Sequence, residues 1–114
     1  MFKRRSSRVS FDETGFSLWD GRTHQVVVRW ADVRRVTAWK KDLVTTDLVC
    51  LTFALVAGQE YTVHEEMDGF DAFAAGMEGA LPGVHTGWRS RVVPPAFAPN
   101  PYVLFDRERD PGIR

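Results

Sequence analysis

The most constraining feature of this sequence is a pair of strand-like segments joined by a tight turn. The first, residues 47–57, is an almost unbroken apolar run, and the second, residues 60–65, alternates apolar and polar side chains. Gly58 and Gln59 between them are typical of a two-residue hairpin loop. Alternation is the pattern of a half-buried strand, whereas an unbroken apolar run favours a strand with neighbours on both sides. The sequence therefore predicts a β-hairpin whose first strand is central to its sheet.

Short segments rich in Val, Phe and Trp precede this hairpin, and turn signals rich in Asp and Gly separate them. They predict four further strands, at residues 8–11, 16–19, 23–29 and 35–40. Residues 30–33 are expected to form a corner in which the Asp32 side chain accepts backbone N–H groups. The polar residues Lys40, Lys41 and Asp42 are expected to end the fourth strand as a loop.

One helix is predicted after the hairpin. Its apolar residues recur at spacings of three and four, namely Phe70, Phe73, Ala74, Met77 and Leu81. Asp68 is a suitable N-cap, and Asp71 adds negative charge at the positive end of the helix dipole. Pro82 and Gly83 then end the helix.

The last third of the chain carries five of the six prolines but also many large apolar residues. We expect residues 84–105 to run across the domain as an extended strap, and residues 106–114 to be a mobile tail. Residues 1–7 are expected to be a disordered basic tail. The sequence thus predicts a single α+β, mostly β domain over residues 8–105. Its sheet would be a bent antiparallel sheet or a split barrel, capped by one helix.

Composition excludes several classes of protein. The 114 residues hold 15 basic and 15 acidic side chains, so the net charge is zero, which argues against a dedicated nucleic-acid binder. A single cysteine, Cys50, rules out an intramolecular disulfide and a multi-cysteine zinc site. No apolar stretch has the length of a signal-peptide core or a membrane helix, so we expect a cytoplasmic protein without a transmembrane segment.

Catalytic motifs are missing from the sequence. The three histidines, His24, His64 and His85, lack the spacing of a metal-binding pair, and no glycine-rich phosphate loop occurs. Cys50 stands in the most apolar segment, where a free thiol behaves as a small hydrophobe. We therefore expect no enzymatic activity, no metal and no cofactor.

Charge is unevenly distributed along the chain. Residues 1–41 hold ten basic and four acidic side chains, whereas residues 42–86 hold eight acidic and no basic ones. Within the basic part, a tryptophan shares a predicted strand face with an arginine and precedes two lysines. This pattern suits a surface that binds an acidic peptide, a phosphorylated head group or a single-stranded nucleic acid, made of Arg34, Arg35, Trp39, Lys40 and Lys41. The simpler interpretation of Trp39 is a rim aromatic covered by the strap, and the other tryptophans, Trp19, Trp30 and Trp88, are expected in the core.

The acidic part offers an alternative surface made of Glu60, Glu65, Glu66 and Asp68. Such a surface could mimic nucleic acid and bind a basic protein. The simpler interpretation is that both charged blocks are solvated faces that partly neutralise each other. Self-association through an open strand edge is compatible with every one of these readings.

The corner Trp30-Ala31-Asp32-Val33 and the helix start Gly69-Phe70, which leads to Leu81-Pro82, resemble small bacterial pleckstrin-homology-like domains over residues 8–82. The resemblance implies a bent antiparallel sheet capped at one end by a helix. Some members of this class serve as binding modules or as immunity proteins that neutralise toxins. We expect a non-catalytic, cytoplasmic binding module whose partner is another protein, and the alternative is a toxin-neutralising immunity or inhibitor protein that uses the acidic surface of residues 60–71. The strap after residue 84 departs from the pattern and would cover a surface that relatives leave open.

Overall fold

The computed structural model describes residues 7–42, 47–92 and 101–108. Within these ranges the chain forms seven strands and two helices. The strands are β1 (Arg8–Phe11), β2 (Gly15–Trp19), β3 (Gln25–Arg29), β4 (Val33–Asp42), β5 (Asp47–Leu55), β6 (Glu60–His64) and β7 (Tyr102–Asp106), and the helices are α1 (Phe70–Ala80) and α2 (Arg89–Val92).

The strands form two antiparallel sheets. The three-stranded sheet has the order β1-β2-β3, and the four-stranded sheet has the order β6-β5-β4-β7. The expectation of an α+β, mostly β chain is confirmed, although the described strands make two separate sheets rather than a closed barrel. The predicted hairpin is present as β5 and β6, and β5 is central, with β4 and β6 on either side.

Helix α1 connects the two sheets through its apolar stripe. The five predicted residues of the stripe are buried, as expected from their spacing: Phe70, Phe73, Ala74, Met77 and Leu81. The ring of Phe73 lies 5.1 Å from that of Phe16 in β2 and 5.6 Å from that of Phe53 in β5, between ring centroids. It also stacks on Trp30 at 5.9 Å. The core therefore lies between α1 and the inner faces of both sheets.

The helix begins differently from the prediction. Gly69 is the N-cap, in the left-handed region at φ 87°, and makes no side-chain cap. Asp68 instead joins the edge of β1, since its carbonyl accepts the N–H of Val9 at 2.9 Å and its N–H donates to Ser7 at 3.0 Å. A side chain at position 69 would place its Cβ 2.3 Å from the Val9 carbonyl oxygen, so this crossing requires glycine.

Strand β4 is longer than predicted, and Lys40 and Lys41 are part of it. The residues on its core side alternate as Val36, Ala38 and Lys40. Lys40 is only 4% exposed, and its ammonium lies 3.5 Å from the Asp47 carboxylate on β5. The expectation of a polar loop at 40–42 was wrong, because a buried partner allows the lysine to continue the strand.

The corner before β4 is a 3₁₀ turn over Trp30–Asp32. The Trp30 indole is buried, as expected, and donates to the Asp12 carbonyl at 3.0 Å. The carboxylate of Asp32 accepts from the guanidinium of Arg29, at 3.3 and 3.4 Å, rather than from the backbone N–H groups that were expected. The corner is thus fixed by the buried indole.

The C-terminal part is more regular than an extended strap. Residues 89–92 are helical, Trp88 is buried as expected, and β7 adds an edge strand beside β4. The ordered chain does not stop at residue 105, because Arg107 donates from its N–H to the Arg34 carbonyl at 2.8 Å and from its guanidinium to the Val33 carbonyl at 2.9 Å. Residues 1–6, 93–100 and 109–114, which include most of both predicted tails and part of the strap, lie outside the described residues.

In the part of the chain that is described, no helix has the length and apolar character needed to cross a membrane. The longer of the two, α1, has 11 residues.

Candidate functional site

The basic surface predicted on β4 is divided between two faces of the four-stranded sheet. Lys40 lies on the inner face, buried beside Asp47. Arg35, Trp39 and Lys41 lie on the outer face, which points away from α1, because the side chains of a strand alternate. The predicted set is therefore not assembled as one surface.

The outer-face members of this set are largely engaged within the protein. Arg35 pairs with Asp106 on β7 at 3.3 Å. Trp39 is half-buried and donates from its indole N–H to the Thr52 hydroxyl at 2.9 Å. Arg34 sits at the register shift at the start of β4 and is partly buried, which leaves Lys41 as the exposed cation.

The predicted acidic surface is also dispersed. Glu65 accepts the N–H of Val49 at 2.8 Å with one carboxylate oxygen and pairs with Arg89 at 3.3 Å through the other. Glu60 lies at the opposite end of β6, about 17 Å away at the rise of an extended strand. Glu66 and Asp68 are exposed, but the backbone of Asp68 is bound to β1. These four residues do not form a continuous acidic patch.

Two side chains with reactive groups, Cys50 and His24, lie in different surroundings. Cys50 is 3% exposed, and burial raises the pKa of its thiol, which disfavours the nucleophilic thiolate. His24 lies 3.2 Å from Asp20 at the exposed β2–β3 turn, where the Arg22 N–H holds the pKa of the Asp20 carboxyl below its ordinary value. No group of three metal-ligating side chains is found among the described residues.

The outer face of the three-stranded sheet was not predicted as a site, and several of its side chains are exposed. Three rows of side chains cross it: Arg8, Trp19 and Gln25; Ser10, Ser17 and Val27; and Arg29 beside Gly15. The Arg8 guanidinium carbon lies 4.8 Å from the centre of the Trp19 ring. The prediction of a core Trp19 was wrong, since its strand turns this side chain outward and leaves it half-exposed.

This face contains a shallow depression of about 370 Å³ between β1 and β3. It is lined by Arg8, Ser10, Ser17, Trp19 and Gln25. The two small serines at its centre leave room that larger side chains would fill. The sequence holds one signal of this outer face, because a strand over residues 26–28 places Val27 on the face opposite to Val26 and Val28, as the burial of β3 shows.

Strand β3 is one edge of this sheet. The alternation of hydrogen bonds between β2 and β3 shows which backbone N–H and C=O groups of β3 point away from the sheet. Asp20 donates to the His24 carbonyl at one end of the β2–β3 ladder, and Trp30 donates to the Thr14 carbonyl at the other end. Because antiparallel pairs alternate, the residues Val26 and Val28 bond to β2. The N–H and C=O groups of Gln25, Val27 and Arg29 therefore point away from the sheet.

These outward groups make no other backbone hydrogen bond to the residues that the structure describes. Val27 is 71% exposed at the middle of this edge. The edge of β1 differs, because Asp68 bridges it. The edge of β6 presents Glu60, Thr62 and His64 by the same alternation, and these are polar. The outer edge of β7 is made irregular by a bulge at Leu104. The candidate site is thus the apolar edge of β3 together with the adjoining outer face, named below the β3 site.

Comparison of the chain with models of protein families, with curated proteins and with solved structures found no match. A fold alone does not specify a function, so the function has to be inferred from the chemistry of the β3 site.

Proposed function

We propose that this chain is a non-catalytic protein-binding domain that recruits an extended segment by adding it as a strand beside β3. The observation that carries the proposal is the row of outward N–H and C=O groups on Gln25, Val27 and Arg29. An added strand gains its affinity from main-chain hydrogen bonds and its specificity from alternate side chains. An exposed strand edge with an apolar centre supplies both.

The side chains around this edge define the kind of segment that would fit. Val27 favours an apolar, β-branched residue opposite the centre of β3. The side chain of Arg29 is 64% exposed and forms an ion pair with Asp32 at 3.3 Å. Arg8, on β1, is a second cation on the same face. An extended segment with an apolar centre and a flanking carboxylate or amide matches this arrangement.

The proposal includes a pleckstrin-homology-like fold and a cytoplasmic location. The order of elements supports the fold, because antiparallel strands are followed by a helix that packs against them. A buried free thiol at Cys50 is compatible with a reducing compartment. The absence of catalysis is supported by the burial of Cys50, which raises the pKa of its thiol and disfavours a nucleophilic thiolate.

Selection of displayed random peptides on the immobilised protein tests the proposal. Peptides should be enriched on the wild type and lost on Val27→Lys, because a charged side chain at the centre blocks strand addition. Thr62→Lys, at the middle of β6, is the matched control and should keep the same peptides. The bound peptide should shift the NMR signals of β3 amides. Enriched peptides that bind equally to Val27→Lys, or a selection that enriches none, would contradict strand addition at β3.

A further inference from the structure

We infer that the β3 edge pairs with the β3 edge of a second copy of this chain, in a two-fold antiparallel arrangement centred on Val27. This rests on the proposed strand addition and names its occupant. The β3 strand has five residues, Gln25–Arg29, and Val27 is its midpoint. A two-fold axis through that midpoint sets Val27 opposite Val27 of the second copy, and Gln25 opposite Arg29.

The hydrogen-bonding pattern fits this register. The three residues that face each other across the axis are the same three whose N–H and C=O groups point outward. In an antiparallel ladder, directly opposed residues of this kind exchange both of their backbone hydrogen bonds. A shift by one residue would place the outward groups of Val27 against Val26 or Val28, whose groups are already bonded to β2. The backbone therefore excludes a shift by one residue. A shift by two residues would pair fewer of the outward groups, and the register centred on Val27 is the one that pairs all three outward residues.

The side chains are complementary in the same register. Val27 is 71% exposed in the single chain and would be covered by Val27 of the second copy. Apolar β-branched side chains that face each other across two strands stabilise the pairing. Arg29 would meet the neutral amide of Gln25 rather than another arginine, and it keeps its pairing with Asp32. No like charges are opposed across the strands. Two-fold pairing also closes on itself, so it yields a dimer rather than a fibre.

The other edges that the structure describes, those of β1, β6 and β7, are less suited to a second copy. On β7, the register shift against β4 leaves Leu104 as an extra residue, and such a bulge interrupts the regular ladder that a second strand would need. On β1, Asp68 already occupies the outward N–H of Val9. On β6, the midpoint is Thr62, whose hydroxyl is bonded to Thr52 at 2.9 Å. Such a pairing would bury polar side chains and add little apolar area. Natural edges are often protected by lysine, proline or a bulge, and β3 has none of these.

Five paired residues bury less surface than the roughly 1,200–2,000 Å² of a standard stable interface. We therefore expect a weak dimer, with Kd on the order of 10 µM to 1 mM. Sedimentation of the wild type between about 10 µM and about 1 mM, the range that brackets this affinity, should show a growing dimer fraction. Val27→Lys should be monomeric throughout, and Thr62→Lys should dimerise as the wild type does.

A second pair of variants tests the register without altering the centre of the strand. Gln25 faces Arg29 of the second copy, so Gln25→Glu should tighten the dimer by about two- to fivefold, and Gln25→Arg should weaken it to a similar extent. In hydrogen exchange, the amides of Gln25, Val27 and Arg29 should slow as concentration rises, while those of Val26 and Val28 stay protected at every concentration.

A wild type that stays monomeric up to about 1 mM would overturn the self-pairing, because that concentration reaches the weak end of the expected range. A dimer that persists in Val27→Lys, or equal effects of the two Gln25 variants, would overturn it as well. Neither result bears on the peptide selection, so a monomer that still captures peptides at β3 would refute the second copy and leave strand addition standing.

Discussion

The two sheets of this protein use their outer faces differently. In the four-stranded sheet, β5 buries residues on both faces, since Leu48, Cys50 and Ala54 on the outer side are less than 9% exposed. In the three-stranded sheet only the inner side is buried, and the outer side leaves Ser10, Gln25 and Val27 exposed. The four-stranded sheet therefore buries apolar side chains on both faces, which stabilises the fold. The three-stranded sheet leaves an apolar side chain and outward backbone groups exposed, which can take part in an interaction.

The exposed edges of the two sheets sharpen the contrast. Strands β3 and β6 both have five residues and both direct alternate backbone groups outward. At the midpoint, β3 carries Val27, whereas β6 carries Thr62 with a hydroxyl that is already bonded. Similar backbones thus differ in their fitness for pairing because of one side chain.

The largest expected effect tests whether the two sheets share one core. Phe73 is fully buried and contacts rings from both sheets, so Phe73→Ala should lower the free energy of unfolding by about 3–5 kcal/mol. Urea unfolding followed by circular dichroism measures this. Val56→Ala, at a 58% exposed position, is the control and should change stability by less than about 0.5 kcal/mol. A loss below about 1 kcal/mol for Phe73→Ala would mean that α1 does not hold the sheets together.

An intermediate effect separates the two lysines that the sequence grouped together. Lys40→Met would leave the Asp47 carboxylate without its cation in a mostly buried position, and should cost about 2–3 kcal/mol. Lys41→Met removes an exposed charge from the other face and should cost less than about 0.5 kcal/mol. Adding Asp47→Asn to Lys40→Met should recover part of the loss. Equal losses for the two lysine variants would show that Lys40 is not inside the fold.

The smallest expected effect concerns the turn at the end of the open sheet. The Arg22 N–H, and then contacts with His24, keep the pKa of Asp20 below its ordinary value of 3.8. A lowered pKa in the folded state adds stability above that ordinary value, and the gain is lost as the pH falls through the lowered value. Asp20→Asn should therefore be slightly less stable than the wild type at pH 7 and equal to it in strong acid. Thermal unfolding across this pH range checks it, and a difference that persists in acid would contradict the electrostatic cause.

Much of the fold follows from local patterns in the sequence. The apolar run before Gly58 and Gln59 predicts the β5–β6 hairpin, and spacings of three and four predict the buried stripe of α1 around Phe73. Both are repeats along a single element, so they are readable without knowledge of its neighbours. The alternation in β3 likewise predicts that Val27 lies on the face opposite to Val26 and Val28, and the structure shows that this face is the exposed one.

The candidate site was not predictable in the same way, because it depends on which neighbours each strand acquires. The sequence pattern predicts Lys40 as a loop residue because it does not show that Asp47 lies beside it. It predicts Trp19 as a core residue because it does not show that the strand directs this side chain outward, against the guanidinium of Arg8. The end of β7 was missed because Asp106 and Arg107 are held by β4, residues that are distant in sequence.

The sequence by itself determined the first six strands, helix α1 and the buried face of β3 and α1, since these depend on the periods of the backbone. The tertiary structure decided which backbone edges stay open. Asp68 closes the edge of β1, and β7 closes one side of β4, whereas β3 keeps its outward N–H and C=O groups unpaired among the described residues. Hydrogen bonds between strands join residues far apart in the chain, so no local pattern specifies which edge remains free to bind.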